Sequence, residues 1–406
     1  MSVPKLRFKE FHEDWPKTSF QNLFIFKNGI NASKEQYGSG TKFINVLDII
    51  NNPNGITYDS IIGSVQVSQK DIDKNLVNYG DVVFQRSSET REEVGQSNVY
   101  LSKEPVVFGG FVIRGSAQVP YDPLFMNGLL KTDKVRDQIT QLSGGSTRFN
   151  IGQDSLNKVS IFLPSKEEQT KIATFLSVVD EKISQLSQKL HLLGQYKQGM
   201  MQKLFSQQIR FKADDGSEFG EWEKTTLGLT GKFIGGGTPS KEVTEFWQGS
   251  IPWISSSDLV DESIFNINIT RYISTEALNQ SATKLIPANS ILIVSRVGVG
   301  KVAVTNRDIC TSQDFTSLVL NNGNPVFFGY LIKSLTGRLL EMNQGTSIKG
   351  FVKDDLSNLK VEIPNLAEQT KIANFLSAID QKIDVVSKQL DQAKLWKKGL
   401  LQQMFV

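Results

Sequence analysis

The sequence predicts an α+β fold in which two α/β globular domains are held apart by two long antiparallel coiled-coil helices, with a pseudo-two-fold internal duplication. Two observations carry this prediction. The hexapeptide EQTKIA at 168–173 occurs again at 368–373, and the segments that follow both copies share one heptad periodicity. Two copies are too few for a solenoid, so we interpret the chain as a duplicated two-part protein.

Apolar residues in each repeated segment recur in alternating steps of four and three, which is the a/d pattern of a coiled-coil seam. No proline occurs in 165–207 or in 365–406, so about 40 residues at about 1.5 Å each predict a rod of roughly 60 Å. One such stripe would also fit ordinary core packing, whereas two copies in matching register favour mutual pairing. The predicted seam consists of Ile172, Leu176, Val179, Ile183, Leu186, Leu190, Ile372, Leu376, Ile379, Ile383, Val386 and Leu390.

A shorter sequence repeat divides the chain further. The tetrapeptide LRFK at 6–9 is echoed by IRFK at 209–212, just after the first long helix. The second helix can run back along the first without a long return loop, which favours antiparallel pairing and brings its end beside the N-terminus. The predicted parts are a first globular domain over 1–165, a first helical spacer over 166–207, a second globular domain over 208–365 and a second helical spacer over 366–406.

The two globular domains are less regular than the helices. Short β-like runs, punctuated by Gly, Asn, Ser and Asp, predict an irregular antiparallel sheet in each, with helices around 122–142 and 325–342. Each domain ends on a strand and a proline just before its long helix, at Pro164 and at Pro364. Between such landmarks the two domains share little sequence. The chain therefore duplicates its spacer faithfully and fills its two heads differently.

Composition restricts the classes of function. The 406 residues suffice for two substantial cores. With 45 Lys and Arg against 42 Asp and Glu, the formal charge is only +3, so nucleic-acid binding would need local basic patches or help from partners. No run approaches the ~18 apolar residues of a membrane span, and the charged N-terminus lacks a signal peptide. We therefore expect a cytoplasmic protein that does not engage a membrane.

The repeated elements carry a resemblance to a known family. Each has the form Pro-x-x-x-Glu-Gln, at 164–169 and 364–369, and leads into Lys-Ile-Ala and the heptads. Weaker support comes from the Gly-Ser/Thr loops at 144–148 and 344–349 and from SRVGVGK at 295–301, with QRSSETR at 85–91 in the corresponding place of the first domain. Over its whole length the chain resembles the specificity subunit of a Type I restriction-modification system, in which two target recognition domains alternate with two helical repeats.

The resemblance implies a non-catalytic subunit that reads double-stranded DNA at an asymmetric bipartite site, one half-site per recognition domain. It also implies two modification (methyltransferase) subunits docked along the helices, and motor-nuclease restriction subunits that join for cleavage. S-adenosylmethionine would belong to the methyltransferase partner, and ATP and magnesium to the restriction partner. No cofactor is expected in this chain.

Candidate DNA contacts follow from the chemistry of readout. Arg, Lys, Asn and Gln read base edges, while Lys, Arg, Ser, Thr and backbone amides bind phosphates. Loops that combine these residues with turns predict contacts at Gln85, Arg86, Arg91, Arg148, Asn150, Ser295, Arg296, Lys301, Thr346, Ser347 and Lys349. Arg296 is the strongest single candidate, because it stands between an apolar strand and a Gly-Val-Gly turn. For each residue taken singly, a solvated surface position is the alternative.

Motifs for catalysis are missing. His12 and His191 are the only histidines and Cys310 the only cysteine, which leaves no histidine triad, two-histidine metal site, cysteine cluster or intramolecular disulfide. Cys310 is expected to be a buried apolar residue. Asp154 and Asp354 recur at one offset before the last strand of each domain, where a structural turn or cap is favoured over a magnesium site.

Two other classes of function compete with DNA reading. The chain could be a two-headed structural or adaptor protein, with the coiled coil as spacer and protein-binding heads, and its small net charge favours this slightly. A self-sufficient nuclease-methylase is disfavoured, because the Asn-Pro-Pro-aromatic signature of an adenine methyltransferase is absent from the sequence.

Overall fold

The computed structural model of the chain describes residues 3–342 and 350–406. The chain divides into two compact units. Unit 1 consists of Met1–Gln188 and Lys388–Val406, and unit 2 consists of Lys189–Ser387. Each unit therefore contains one globular head together with a segment of both long helices. Both heads combine helices and sheets, which confirms the predicted α+β class.

The first half of the chain contains short strands and helices followed by one long helix. In chain order they are β1 (Lys17–Ser19), α1 (Phe20–Leu23), β2 (Phe24–Asn28), β3 (Tyr37–Ile44), α2 (Val46–Asn51), β4 (Ser64–Val65), α3 (Gln69–Lys74), β5 (Val82–Gln85), β6 (Ser87–Ser88), β7 (Ser97–Val99), β8 (Val107–Phe108), β9 (Val112–Ala117), α4 (Pro123–Leu129), α5 (Asp133–Gln141), β10 (Phe149–Asn150), α6 (Gln153–Asn157), β11 (Ser160–Phe162) and α7 (Lys166–Phe205).

The second half repeats this plan. Its elements are β12 (Glu223–Thr226), α8 (Leu227–Thr230), β13 (Gly231–Gly235), β14 (Ile251–Ile254), β15 (Arg271–Ile273), α9 (Thr275–Gln280), β16 (Leu285–Ile286), β17 (Ile291–Ile293), β18 (Val302–Val304), β19 (Ile309–Thr311), β20 (Thr316–Leu320), α10 (Pro325–Met342), α11 (Lys353–Ser357), β21 (Lys360–Ile363) and α12 (Leu366–Met404).

The sheets of the two heads have matching topologies. Unit 1 has a four-stranded sheet in the order β2-β9-β5-β7, and unit 2 has one in the order β13-β20-β17-β18. Each head also contains one parallel strand pair inside a second sheet, β3 with β8 in unit 1 and β14 with β19 in unit 2. The duplication therefore extends through the heads, although the sequences of the heads share little.

The two long helices run antiparallel within each unit. In unit 1, Asp180 of α7 pairs with Lys397 of α12, and the N–H of Leu6, next to the start of α7, donates to the carbonyl oxygen of Gln403 at 2.9 Å. In unit 2, Lys197 of α7 pairs with Asp380 of α12 at 2.6 Å. The predicted antiparallel order is confirmed, as is the expected contact between the end of the second helix and the N-terminal segment.

The predicted seam positions are all buried or half-buried. Several of them contact a head as well as the other helix, since Ile172, Leu176 and Val179 share one core with Phe125 of α4. The buried seam positions are Ile172, Leu176, Val179, Leu186, Ile372, Leu376, Ile379, Val386 and Leu390, and the half-buried ones are Ile183, Leu190 and Ile383.

The repeated glutamate binds the chain segment that precedes each head. Glu168 is buried and accepts two hydrogen bonds from Arg7, at 2.7 and 2.8 Å, and one from the indole N–H of Trp15 at 3.1 Å. The hydrogen bonds to Glu168 raise the pKa of the Arg7 guanidinium above its usual value. Such bidentate charged pairs are geometrically specific, so this glutamate fixes where each long helix begins.

The same arrangement occurs in unit 2. Arg210 donates to Glu368 at 3.1 and 2.7 Å, and the indole N–H of Trp222 donates to it at 3.2 Å. Hydrogen bonding to Glu368 likewise raises the pKa of Arg210. The LRFK and IRFK echoes are thereby explained, because their arginines are the partners of the two glutamates.

The repeated glutamine joins each helix to its head through backbone atoms. In unit 1, Gln169 Nε2 donates to the carbonyl oxygen of Pro164 at 2.9 Å, and Gln169 Oε1 accepts from the backbone N–H of Asp122 at 2.8 Å. In unit 2, Gln369 makes the corresponding bonds to Pro364 and to the N–H of Asn324. The conspicuous Pro-x-x-x-Glu-Gln element is therefore a structural clamp.

The end of each long helix completes a core. Phe405, just beyond α12, lies in the core of unit 1 with its ring 5.1 Å from that of Phe125. In unit 2 the ring of Phe205, at the end of α7, lies 5.7 Å from that of Phe327. Each head is therefore stabilised by the helix that follows the other head in the sequence.

Two further expectations concern the state of Cys310 and the presence of membrane-spanning helices. Cys310 is buried on β19, and burial raises the pKa of its thiol to about 11, so the thiol is uncharged at neutral pH and the predicted buried apolar role is confirmed. Within 3–342 and 350–406, none of the helices combines the length and the apolar character needed to traverse a bilayer.

Candidate nucleic-acid interface

A short strand pair gathers the basic candidates of unit 1. β6 pairs antiparallel with β10, which places Ser87 opposite Asn150. The N–H of Ile151 then donates to the carbonyl oxygen of Arg86 at 3.0 Å. Because these contacts join two loops that are distant in sequence, four of the predicted residues lie close together on one exposed surface. We call this surface the basic patch; it consists of Arg86, Arg91, Arg148 and Asn150.

Backbone and ring contacts hold the patch in place. Arg91 lies 6.0 Å above the ring of Phe149 and donates to the carbonyl oxygen of Thr140 at 3.2 Å. Arg148 has a side chain 60% exposed and only a loose pair with Glu89, at 3.9 Å. Exposed guanidinium groups with such weak carboxylate pairing suit phosphate or base-edge binding.

Not every predicted residue faces solvent. Gln85 is buried, and its Nε2 donates to the carbonyl oxygen of Ser87 at 3.0 Å. In unit 2, Ser295 is buried and its hydroxyl lies 3.0 Å from that of Thr316. Gln85 is the last residue of the central strand β5, whereas Ser295 lies two residues beyond the central strand β17.

The remaining candidates of unit 2 differ in exposure. Arg296 is exposed, directly after the buried Ser295. Lys301 is half-buried and donates to the carbonyl oxygens of Ser256 and Leu259, at 3.2 and 2.9 Å, so it fixes a neighbouring loop. Thr346, Ser347 and Lys349 lie outside the residues that the structure describes.

A crevice of about 190 Å³ opens beside the basic patch. It lies at the carboxyl ends of the parallel strands β3 and β8, and Arg86 reaches it, because Arg86 Nη1 donates to the carbonyl oxygen of Gly110 at 3.4 Å. We call it crevice 1; its lining is Tyr37, Phe43, Asn45, Val46, Leu47, Gly109, Gly110, Phe111 and Val112. None of the predicted DNA contacts falls in this lining, although an aromatic residue directly after two glycines at 109–110 is a visible signal in the sequence.

Unit 2 has the same backbone arrangement at the corresponding place. The N–H of Gly109 donates to Ile44 O in unit 1, and the N–H of Ser312 donates to Ile254 O in unit 2, at 3.0 and 2.9 Å. A capping aspartate follows β3 in unit 1 and β14 in unit 2. Asp48 accepts the backbone N–H of Asn45, and Asp258 accepts that of Ser255, both at 2.7 Å.

Two more hydrogen bonds align the basic segments. The N–H of Arg86 donates to Phe111 O, and the N–H of Ser295 donates to Asp314 O, each at 2.8 Å. Arg86 thus occupies the place of Ser295, and Arg296 occupies the place of Ser87. The two heads present equivalent surfaces with different side chains.

Among the residues that the structure describes, no group of three or more His, Cys, Asp or Glu side chains could hold a metal ion. Asp154 lies in the first turn of α6 and Asp354 in the first turn of α11. Acidic residues are favourable at that end of a helix, which agrees with the structural role expected for them.

Comparisons with known proteins agree with this organisation. Relatives include the provisionally named type I restriction enzyme MjaX specificity subunit of Methanocaldococcus jannaschii, 25% identical over 98% of this chain and 94% of its own. The EcoR124I/EcoR124II specificity subunit of Escherichia coli is 38% identical over 42% of this chain and 44% of its own.

Solved structures share the fold. The S subunit of a Type I restriction-modification system from M. genitalium matches 100% of this chain and 99% of its own with a TM-score of 0.59, at 19% identity. A chain from a study of complex assembly and conformational transition of the type I R-M system matches 96% of both chains with a TM-score of 0.62, at 17% identity.

The sequence profile of the family described as the Type I restriction modification DNA specificity domain matches residues 12–193 and again residues 220–395. These two matches span most of both halves of the chain. The chain therefore belongs to the Type I restriction-modification DNA specificity family and has the two-domain organisation of a specificity subunit.

Proposed function

We propose that this chain reads an asymmetric bipartite DNA site for a Type I restriction-modification complex, with one half-site per head. The observation that carries the proposal is the pair of heads with one fold and unlike surfaces. In unit 1 the equivalent place holds the exposed Arg86 and Phe111, whereas in unit 2 it holds the buried Ser295 and the half-buried Asp314. Heads with equivalent geometry and different side chains would read different bases.

Local charge supports DNA binding despite the small net charge. The basic patch concentrates exposed arginines at one place, and Arg296 is exposed at the matching loop of unit 2. Phosphate contacts of this kind supply affinity and make binding depend on salt. A DNA turn measures about 34 Å, so a rod of roughly 60 Å would let the two heads address groove faces one to two turns apart.

Exposed apolar side chains on the long helices favour two docked partners. In unit 1, Trp396 and Leu395 of α12 are exposed; in unit 2, Tyr196 and Leu192 of α7 are. Trp396 and Tyr196 occupy equivalent positions of the repeat. Exposed aromatic groups are typical of protein interfaces, and twin surfaces fit two identical modification subunits.

In this proposal the chain itself is non-catalytic and acts in the cytoplasm, where prokaryotic DNA lies. The docked methyltransferase subunits carry S-adenosylmethionine. Restriction subunits carry ATP and magnesium for cleavage.

Binding-site selection from random duplexes, with the chain bound to its methyltransferase partner, tests the proposal. We expect two short specified blocks separated by a fixed unspecified gap. Arg86→Ala should relax one block only and weaken binding by about 1–3 kcal/mol, roughly five- to 150-fold, because it removes a groove-facing guanidinium. Lys103→Ala, which changes an exposed cation of unit 1 outside the patch, should leave both blocks unchanged.

Two results would contradict the proposal. One is the recovery of no specified sequence, which is what an adaptor with protein-binding heads would give. The other is equal relaxation of both blocks by Arg86→Ala, because a residue confined to unit 1 should affect a single half-site.

A further inference from the structure

We propose that crevice 1 is a thymine-reading site, in which the 5-methyl group of one thymine packs between Leu47 and Phe111. The inference rests on the proposed function and specifies which chemical group unit 1 recognises. It concerns residues that the basic patch does not contain.

The walls of crevice 1 are suited to an apolar group. Tyr37 and Phe43 pack edge to face with ring centroids 5.5 Å apart. At the rim, Leu47 is 67% exposed and Phe111 is 64% exposed. Adjacent exposed apolar side chains typically mark a binding surface, and apolar contact is how proteins recognise the thymine methyl group in the major groove.

The two glycines of the crevice lining have no room for side chains. A Cβ atom on Gly110 would lie 1.8 Å from Asn31 Oδ1, and one on Gly109 would lie 2.9 Å from the Phe43 ring. Neither position accepts a side chain without a shift of its neighbours. The glycines therefore let the backbone pass close to Asn31 and Phe43, and the exposed ring of Phe111 follows directly after them.

Charge at the rim favours DNA as the occupant over an apolar peptide. The exposed Arg86 guanidinium contacts the carbonyl oxygen of Gly110, inside the lining. Its own backbone N–H donates to Phe111 O. A cation anchored within one residue of the protruding ring is complementary to a phosphate or a guanine edge beside the thymine.

The equivalent place in unit 2 has the opposite character. The N–H of Asn45 donates to Asp48 as the N–H of Ser255 donates to Asp258, so Asn45 and Ser255 are equivalent. Ser257 therefore occupies the place of Leu47. Asp314 replaces Phe111. A hydroxyl and a carboxylate at these positions offer no apolar contact, so methyl reading is expected of unit 1 alone.

Substitution of thymine by deoxyuridine tests the inference, because it removes only the 5-methyl group. The probe is the duplex obtained by selection, with each thymine of the block that responds to Arg86→Ala replaced in turn. We expect one replacement to weaken binding of the complex roughly four-fold, as for the loss of one buried methyl group. The Phe111→Ala variant should reduce this preference to about two-fold or less, because the methyl group then packs on Leu47 alone. Phe111 is exposed, so the variant is expected to fold.

The control is Ile25→Ala, which removes an exposed apolar side chain of unit 1 outside the crevice lining and should preserve the preference for thymine. The inference is overturned if the responsive block contains no thymine, if every uracil duplex binds like its parent, or if Phe111→Ala retains the full preference. Each of these results leaves sequence-specific DNA reading intact. Absence of any specific binding would instead refute the proposed function.

Discussion

Replacing Arg210 with alanine is expected to lower the free energy of unfolding of unit 2 by about 3–5 kcal/mol. The Glu368 side chain is fully buried, and Arg210 supplies both of its charged hydrogen bonds. Loss of the guanidinium leaves a buried carboxylate that keeps the hydrogen bond from the Trp222 indole N–H but has lost its cationic partner. An uncompensated buried charge is far more costly than the loss of an exposed pair.

Hydrogen exchange read by mass spectrometry can follow each unit separately. Faster exchange should be confined to peptides of 189–387. The matched control is Lys224→Ala, since Lys224 and Glu362 form a pair at 3.9 Å with side chains 84% and 44% exposed, and such surface pairs contribute about 0–1 kcal/mol. The double change Arg210→Met and Glu368→Gln should recover much of the stability. Equal losses of unfolding free energy for Arg210→Ala and Lys224→Ala would contradict a stabilising role of the Arg210–Glu368 pair.

Replacing Phe405 with alanine is expected to destabilise unit 1 by about 3–5 kcal/mol, as for other buried phenylalanines. Phe405 is only 5% exposed, and its ring packs on Phe125. Although Phe405 follows the second long helix, it belongs to the same core cluster as Met126 and Leu129 of the first head. The cavity left by the ring would therefore open in unit 1.

The measurement is again hydrogen exchange, with faster exchange expected in peptides of 120–142. Leu395→Ala changes a side chain of the same helix that is 71% exposed and should have little effect on stability. Faster exchange in unit 2 alone, or no change at all after Phe405→Ala, would show that the end of α12 does not complete the first head.

The sequence predicts the long helices well because their signal is local and periodic. Heptads and an exact repeat fix α7 and α12, and the direction of pairing follows from chain order. The role of the repeated Glu-Gln pair could not be derived in this way. Its partners, such as Arg7 and Asp122, are distant in sequence, and nothing in a local pattern joins them.

The common fold of the two heads was hidden for a related reason. Parallel pairing of β3 with β8 joins segments separated by four other strands, so no local periodicity reveals it. Side chains at equivalent places differ in chemistry, as Phe111 and Asp314 do, and only the backbone hydrogen bonds show that they correspond.

The candidate site was predictable in part. Basic residues beside turns indicated Arg86, Arg91 and Arg148, which the structure brings together. Residue type alone could not separate these from Gln85, which lies at the end of a buried strand. Crevice 1 draws its lining from separate segments of the chain, so it becomes visible only after folding.

Insertion of one heptad into each long helix tests the central claim, that the helices set the distance between two unlike DNA readers. The insertions belong after Gln188 and after Ser387, where each helix passes from one unit to the other. One heptad adds about 10.5 Å of helix, and a base pair occupies about 3.4 Å. Binding-site selection should therefore recover both blocks unchanged with the gap lengthened by about three base pairs. An unchanged gap would contradict the account.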